Sequence, residues 1–237
     1  MNLSKHITIL SGGGSPHVES YRAVYALIEE EAVARGFRTD LVDYVGCGHE
    51  PKMGNGLNLP DAVEKVRKEI NKHPAPTGST LLCRSFGCDV GAYLLAYHAQ
   101  EMAAFARIVL WGPSAYHLYW DLVARTPEST REMNEYAAKH KRGMRLHEGF
   151  WATFQPIEIS AKHFRSISVE IGFGTQDQYC ESAFANYLAG IIRNHTKCPV
   201  RVVEIRGADH EIRIDPKAGV PNEEHERIKQ EYFQLIF

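Results

Sequence analysis

Apolar and polar positions along this chain follow two alternating periods. Short runs rich in β-branched residues, at 6–10, 38–45, 79–84, 107–111, 167–173 and 200–205, read as strands. Between them the apolar spacing changes to three and four residues. Val18, Tyr21, Tyr25, Ile28 and Ala32 mark one helical face, with Ser15 and Pro16 placed to start that helix and Gly36 to end it. Val63, Val66 and Ile70 mark a helix near 60–72 that stops before Pro74, and Val90, Leu94 and Tyr97 mark the next. Phe184, Leu188, Ile191 and Ile192 form a fourth inward stripe. Ile228, Tyr232, Leu235 and Ile236 form a fifth, with Asn222 as its expected cap. Strands that alternate with amphipathic helices predict an α/β fold, a mainly parallel sheet of about six strands with helices on both faces.

The rhythm breaks once, over the stretch 113–165 between the fourth and fifth strands. It holds Tyr116, Tyr119, Trp120, Phe150, Trp151 and Phe154 and a charged, helix-like segment at 127–142. An insertion of that length at the strand ends of an α/β domain is usually functional. The expected organisation is a core of 1–112 and 166–237 carrying a small lid at 113–165. There is no internal repeat, low-complexity segment or linker.

Composition narrows the classes of function. The 237 residues carry 27 Lys and Arg against 29 Asp and Glu, a net charge of −2, with no basic run. That argues against a nucleic-acid partner. Apolar stretches are strand-sized, so no membrane span is expected, and residues 1–10 lack the long apolar region of a secretory signal. The five cysteines are an odd number without a Cys-x-x-Cys pair, which points to free thiols and a cytoplasmic location. Twelve histidines include no His-Glu-x-x-His, and neighbours in the one tight grouping, Asp209-His210-Glu211, point in different directions. No metal and no other cofactor is expected.

The strongest chemical signal is Cys83-Arg84-Ser85-Phe86-Gly87, between a buried strand and a helix. This is the setting of a nucleophile elbow, a sharp turn that presents a serine hydroxyl and needs small residues two positions either side. Gly87 meets that need, and Cys83 is small enough to be tolerated. The competing reading makes Ser85 a helix cap. A serine hydroxyl needs a base, and the base an orienting acid. Asp177 follows the fifth strand in Gly-Thr-Gln-Asp, and His210 follows the sixth in Gly-Ala-Asp-His. Parallel strands bring their C-terminal ends to one edge, so Ser85, Asp177 and His210 can converge there as a catalytic triad. The oxyanion would be held by the amide of Phe86 and by that of Gly13 or Gly14, in the loop after the first strand. As a dinucleotide site that loop fails where His17 replaces the third glycine, and it lacks the Gly-Lys-Ser/Thr of a phosphate loop. Cys83 and Cys88, beneath the elbow and inside the helix, are poorly placed as nucleophiles.

Ser85 in its elbow, Asp177, His210 and Ser11-Gly12-Gly13-Gly14 together resemble the α/β-hydrolase superfamily, along nearly the whole chain. The resemblance implies a three-layer fold with the first strand between the second and third, followed outward by the fourth, fifth and sixth. The topological switch then sets the glycine loop beside Ser85. Three features depart from the pattern. There is no room before His6 for the superfamily's two leading antiparallel strands, Ser11-Gly12 replaces the common His-Gly, and position 83 is Cys. The activity implied is that of a serine hydrolase acting on a carboxylic ester or related acyl bond through an acyl-enzyme. The alternatives are a non-hydrolytic ligand-binding protein of the same fold, or an acyltransferase, amidase or thioesterase using the same triad. The expected partner is a small-molecule acyl substrate, apolar or aromatic, with Tyr116, Trp120 and Trp151 as candidate contacts. Those aromatics serve equally well as the lid's own core. A homodimer is left open.

Overall fold

Each strand expected from the sequence forms, and all six join one parallel sheet in the order β2-β1-β3-β4-β5-β6. A computed structural model describes residues 5–12, 19–44, 56–98, 100–113, 131–132, 134–135, 138–139, 147, 150, 167–177, 179–180, 182–195, 198–212 and 221–237. The strands are β1 (Lys5–Leu10), β2 (Phe37–Val42), β3 (Ser79–Arg84), β4 (Phe105–Trp111), β5 (Ser168–Gly174) and β6 (Val200–Ile205). The helices are α1 (Glu19–Ala34), α2 (Leu59–Lys72), α3 (Phe86–Tyr97), α4 (Ser182–His195) and α5 (Asn222–Ile236). A short 3-10 turn, Glu101–Ala104, leads into β4. This strand order is the one the resemblance implies, with β1 between β2 and β3.

Side chains alternate across the sheet and bury two cores. On one face Leu10, Leu81, Cys83, Ile108 and Leu110 meet Val63, Val66, Leu94 and Leu188 from α2, α3 and α4. On the other, Ile7, Ile9, Leu82, Val109 and Trp111 meet Tyr25, Ile28, Ile228 and Tyr232 from α1 and α5. The start of α2 is fixed by Asn58, whose side-chain oxygen accepts from the Asp61 amide at 2.9 Å, with Pro60 in the first turn. A cap of this kind contributes about 1 kcal/mol.

Two helical expectations are corrected. Tyr97 shares a helical face with Val90 and Leu94, yet it is exposed in the last turn of α3 and packs on Tyr93 at 5.4 Å. The sheet-facing contact of α3 ends before that turn. Asn222 is the first residue of α5, not its cap; Pro221 precedes it and no side chain caps the helix. Ser15, Pro16 and Val18 lie outside the described residues, as do the side chain of Tyr21 and most of the stretch 113–165. Within that stretch Arg131, Glu132, Asn134, Glu135, Ala138 and Lys139 are helical and largely exposed. Phe150 is buried against Phe86, with ring centroids 5.9 Å apart. Among the described residues no helix is long and apolar enough to cross a membrane.

Candidate active site

Because every strand runs the same way, the residues after β1, β3, β4, β5 and β6 share one edge of the sheet. Ser85 makes the turn from β3 into α3 at φ 49° and ψ −120°. That left-handed backbone is costly for a residue with a Cβ and occurs where surrounding structure enforces it. The enforcement is visible. The Ser85 amide donates to the Trp111 carbonyl at 2.9 Å, and the Ser85 carbonyl accepts from the Cys88 amide at 2.8 Å. The Ser85 side chain makes no capping hydrogen bond to α3, contrary to the capping alternative.

The small residues around the elbow have steric causes. A Cβ on Gly87 would stand 2.6 Å from the Leu10 carbonyl oxygen and 2.7 Å from that of Ser11. Cys83 is fully buried, with Sγ 2.6 Å from where a Cβ on Gly91 would be. Burial pushes the thiols of Cys83 and Cys88 well up, so both stay protonated and unreactive. The four described cysteines, Cys83, Cys88, Cys180 and Cys198, are buried.

Asp177 is buried in the turn after β5. One carboxylate oxygen, Oδ1, accepts the amides of Tyr179 at 2.8 Å and Cys180 at 3.0 Å. The other, Oδ2, accepts from His210 Nδ1 at 2.8 Å. This fixes the imidazole with Nδ1 protonated and leaves Nε2 as the basic nitrogen. The His210 ring rests on Gly112: a Cβ there would lie 2.9 Å from His210 Cε1 and Nδ1 and 3.2 Å from Asp177 Oδ2. Gly112 directly follows Trp111, whose carbonyl holds the Ser85 amide. Asp177, His210 and the turn at Ser85 therefore meet around the end of β4.

Phe86 opens α3, so its amide belongs to the helix's first turn, at the positive end of the helix dipole. Gly13 and Gly14 lie outside the described residues. Their neighbour Gly12 is described and lies close against the serine: a Cβ on it would be 3.2 Å from Ser85 Cβ, a tight contact. The loop after β1 thus passes beside the serine. Tyr116, Trp120 and Trp151 lie outside the described residues. His147 is described through its backbone, whose amide donates to the Leu57 carbonyl at 2.9 Å.

Three contacts around His210 carry no signal in the sequence pattern. Tyr179 sets its half-exposed ring edge-on to His210, with centroids 5.1 Å apart. The His210 carbonyl accepts from both Trp111 Nε1 at 3.1 Å and Arg84 Nη2 at 3.2 Å. Among the described residues no group of three metal-ligating side chains forms. A cavity of about 430 Å³ runs between β2 and α2, and none of Ser85, Asp177 and His210 lines it.

No protein-family model matches the sequence. No curated protein matches it either. Solved structures do match in their fold. A bromoperoxidase from Bacillus anthracis superposes with a TM-score of 0.67 at 14% identity, over 98% of this chain and 91% of that one. The RedJ thioesterase of the prodiginine pathway in Streptomyces coelicolor gives 0.63 at 13%, over 96% and 84%. A methylesterase from Arabidopsis gives 0.61 at 12%, over 97% and 99%. The strand order, the elbow after β3 and these superpositions agree: the chain has the fold of the α/β-hydrolase superfamily.

Proposed function

We propose that the protein is a serine hydrolase that cleaves a carboxylic ester or related acyl bond through Ser85, His210 and Asp177. The observation that carries this reading is the Asp177–His210 hydrogen bond at 2.8 Å, seated on Gly112 next to a serine whose backbone sits at φ 49°. Thioesterase and methylesterase names among the structural neighbours support an acyl bond as the target.

The reaction runs in two halves. Ser85 Oγ attacks the substrate carbonyl while His210 Nε2 takes the hydroxyl proton. Asp177 holds the imidazole in the tautomer that leaves Nε2 free and stabilises the imidazolium that forms. The negative oxygen of the tetrahedral intermediate is held by the amide of Phe86 and that of Gly13 or Gly14; one such donor is worth about 3 kcal/mol. His210 returns its proton to the leaving alcohol, and the acyl group stays on Ser85. Water then attacks the acyl-enzyme, His210 takes a proton from it, and the acid leaves as Ser85 regains its hydrogen. The stretch 113–165 acts as a lid whose aromatics, Tyr116, Trp120 and Trp151 among them, line an apolar acyl pocket.

A fluorophosphonate probe tests the mechanism. Mass spectrometry should find the adduct on Ser85, and Ser85→Ala should abolish it; labelling that persists in that variant removes the proposal. Turnover of p-nitrophenyl esters should depend on acyl chain length. A flat profile would remove the apolar pocket.

A further inference from the structure

Strand alternation gives Arg84 a different environment from its neighbours in the elbow. Cys83 faces α2 and α3, whereas Arg84 points to the side of α1 and α5. There it is almost fully buried, a costly setting for a charge. A guanidinium placed only to fill that space could be replaced by an apolar side chain without loss. What distinguishes Arg84 is what it touches. Nη2 donates to the His210 carbonyl at 3.2 Å. The guanidinium lies over the Tyr25 ring, 5.4 Å from its centroid. Glu211, next to His210, faces it at 3.7 Å. Tyr25 in turn accepts the Gly12 amide on its hydroxyl at 2.9 Å.

The loop these contacts reach is itself strained. Ile212, two residues beyond His210, is buried at φ 68°, a backbone that β-branched residues avoid. A loop in that state holds its shape only if other contacts fix it. Trp111 Nε1 and Arg84 Nη2 converge on the same His210 carbonyl.

We infer that Arg84 is a positioning residue: through the His210 carbonyl and the Tyr25 ring it ties the loop carrying the base to the loop that passes Ser85. This rests on the triad reading above. Arg84 touches no reacting atom. It sets where Nε2 stands relative to Oγ, and through Tyr25 it supports Gly12 beside the serine. Burial raises the Tyr25 phenol to about 12, so its oxygen stays a neutral acceptor for the Gly12 amide. A flat, stacked guanidinium is not replaced by lysine at such a site.

The experiment uses the full chain and three versions, wild type, Arg84→Lys and Arg84→Met. Each is checked by thermal melting, then measured for the rate constant of fluorophosphonate labelling and for kcat and KM on p-nitrophenyl acetate. The low-field proton resonance of His210 Nδ1–H reports directly on the Asp177 bond. Misplacement by about 1 Å costs about 100-fold in rate, so Arg84→Met should label about 100-fold more slowly. KM should not change, and the resonance should broaden or vanish. Arg84→Lys keeps a donor and a charge but not the fork, and should fall between, near ten-fold. A folded variant of either kind with wild-type labelling and an intact resonance overturns the inference. So does a loss confined to KM, which would make Arg84 part of the substrate surface. Should Arg84→Met fail to fold, Arg84→Lys decides alone. If wild type itself does not label, the triad reading fails, and the resonance still tells whether Arg84 holds His210.

Discussion

Gly112→Ala adds one methyl group at the point where Asp177 and His210 meet. Two costs can be separated. Position 112 has φ +56°, and a non-glycine residue there loses about 1 kcal/mol. For a chain of this length that lowers Tm by about 2–4 °C. The second cost is contact. The new Cβ would be 2.9 Å from His210 Cε1 and Nδ1, where ordinary contact begins near 3.4 Å. The imidazole must retreat by about 0.5 Å or more, and displacement on the scale of 1 Å costs about 100-fold in rate. A ten- to hundred-fold loss is therefore expected, a barrier higher by about 1.4–2.7 kcal/mol.

Gly36→Ala supplies the control. Gly36 has φ +77° and nothing within 4 Å of the added Cβ, so it carries the backbone cost without the contact. Both variants should melt a few degrees early. Only Gly112→Ala should slow fluorophosphonate labelling of Ser85 and hydrolysis of p-nitrophenyl acetate. Equal labelling rates in the two variants would mean that His210 does not rest on Gly112 in solution, and the arrangement around β4 would have to be abandoned.

Asp177→Asn keeps an oxygen for the Tyr179 and Cys180 amides but lets His210 adopt the wrong tautomer. By the pattern of serine triads kcat should fall by about 10⁴; a loss below ten-fold on p-nitrophenyl esters would deny Asp177 that role. Tyr25 predicts alkaline behaviour. Its phenol is raised from 10.0 to about 12 by burial, so its contribution to stability is complete below pH 10 and is lost as pH rises from 10 through 12. The slope is up to about 1.4 kcal/mol per pH unit. Urea titrations across pH 9–12 should show a shallower decline in Tyr25→Phe than in wild type, and equal slopes would refute this. Gly87→Ala drives a Cβ into the Leu10 and Ser11 carbonyl oxygens, and overpacking of this kind costs about 1–3 kcal/mol. A thermal melt unchanged from wild type would mean α3 does not approach β1 as described.

The elements were legible because each announces itself locally. Short apolar runs such as Leu81–Cys83 and Ile108–Trp111, bounded by turns, read as strands buried on both faces, and period-2 and period-3.6 spacing do not look alike. Asp177 and His210 were legible as neighbours because each lies just past the end of a strand, and a parallel sheet brings those ends to one edge, where the two side chains meet at 2.8 Å. The groups that hold them in place were not. Arg84 and the His210 carbonyl are 126 positions apart, Trp111 and that carbonyl 99, and no periodicity encodes such a contact. Gly112 looks like any turn glycine until the imidazole lies against it. Tyr97 shows the converse limit. Its spacing is right for burial, but spacing does not say where the neighbouring sheet ends.

Strain and restraint meet in one residue. Among the described residues the non-glycine positions with positive φ are Ser85 and Ile212, one in the turn after β3 and the other two residues past His210. Strain of this kind costs about 1–3 kcal/mol per residue and persists only where neighbours over-determine it. Trp111 reaches Ser85 and the loop that leads to Ile212. Its carbonyl takes the Ser85 amide, and its indole donates to the His210 carbonyl. Its ring is locked by Tyr232 of α5 at 4.9 Å, edge to face. Burial leaves it no freedom to give way. A single rigid side chain at the end of β4 thus couples the turn that exposes the hydroxyl to the loop that presents the imidazole. Ser85 and His210 are set by the packing of the α5 face of the sheet as much as by their own turns.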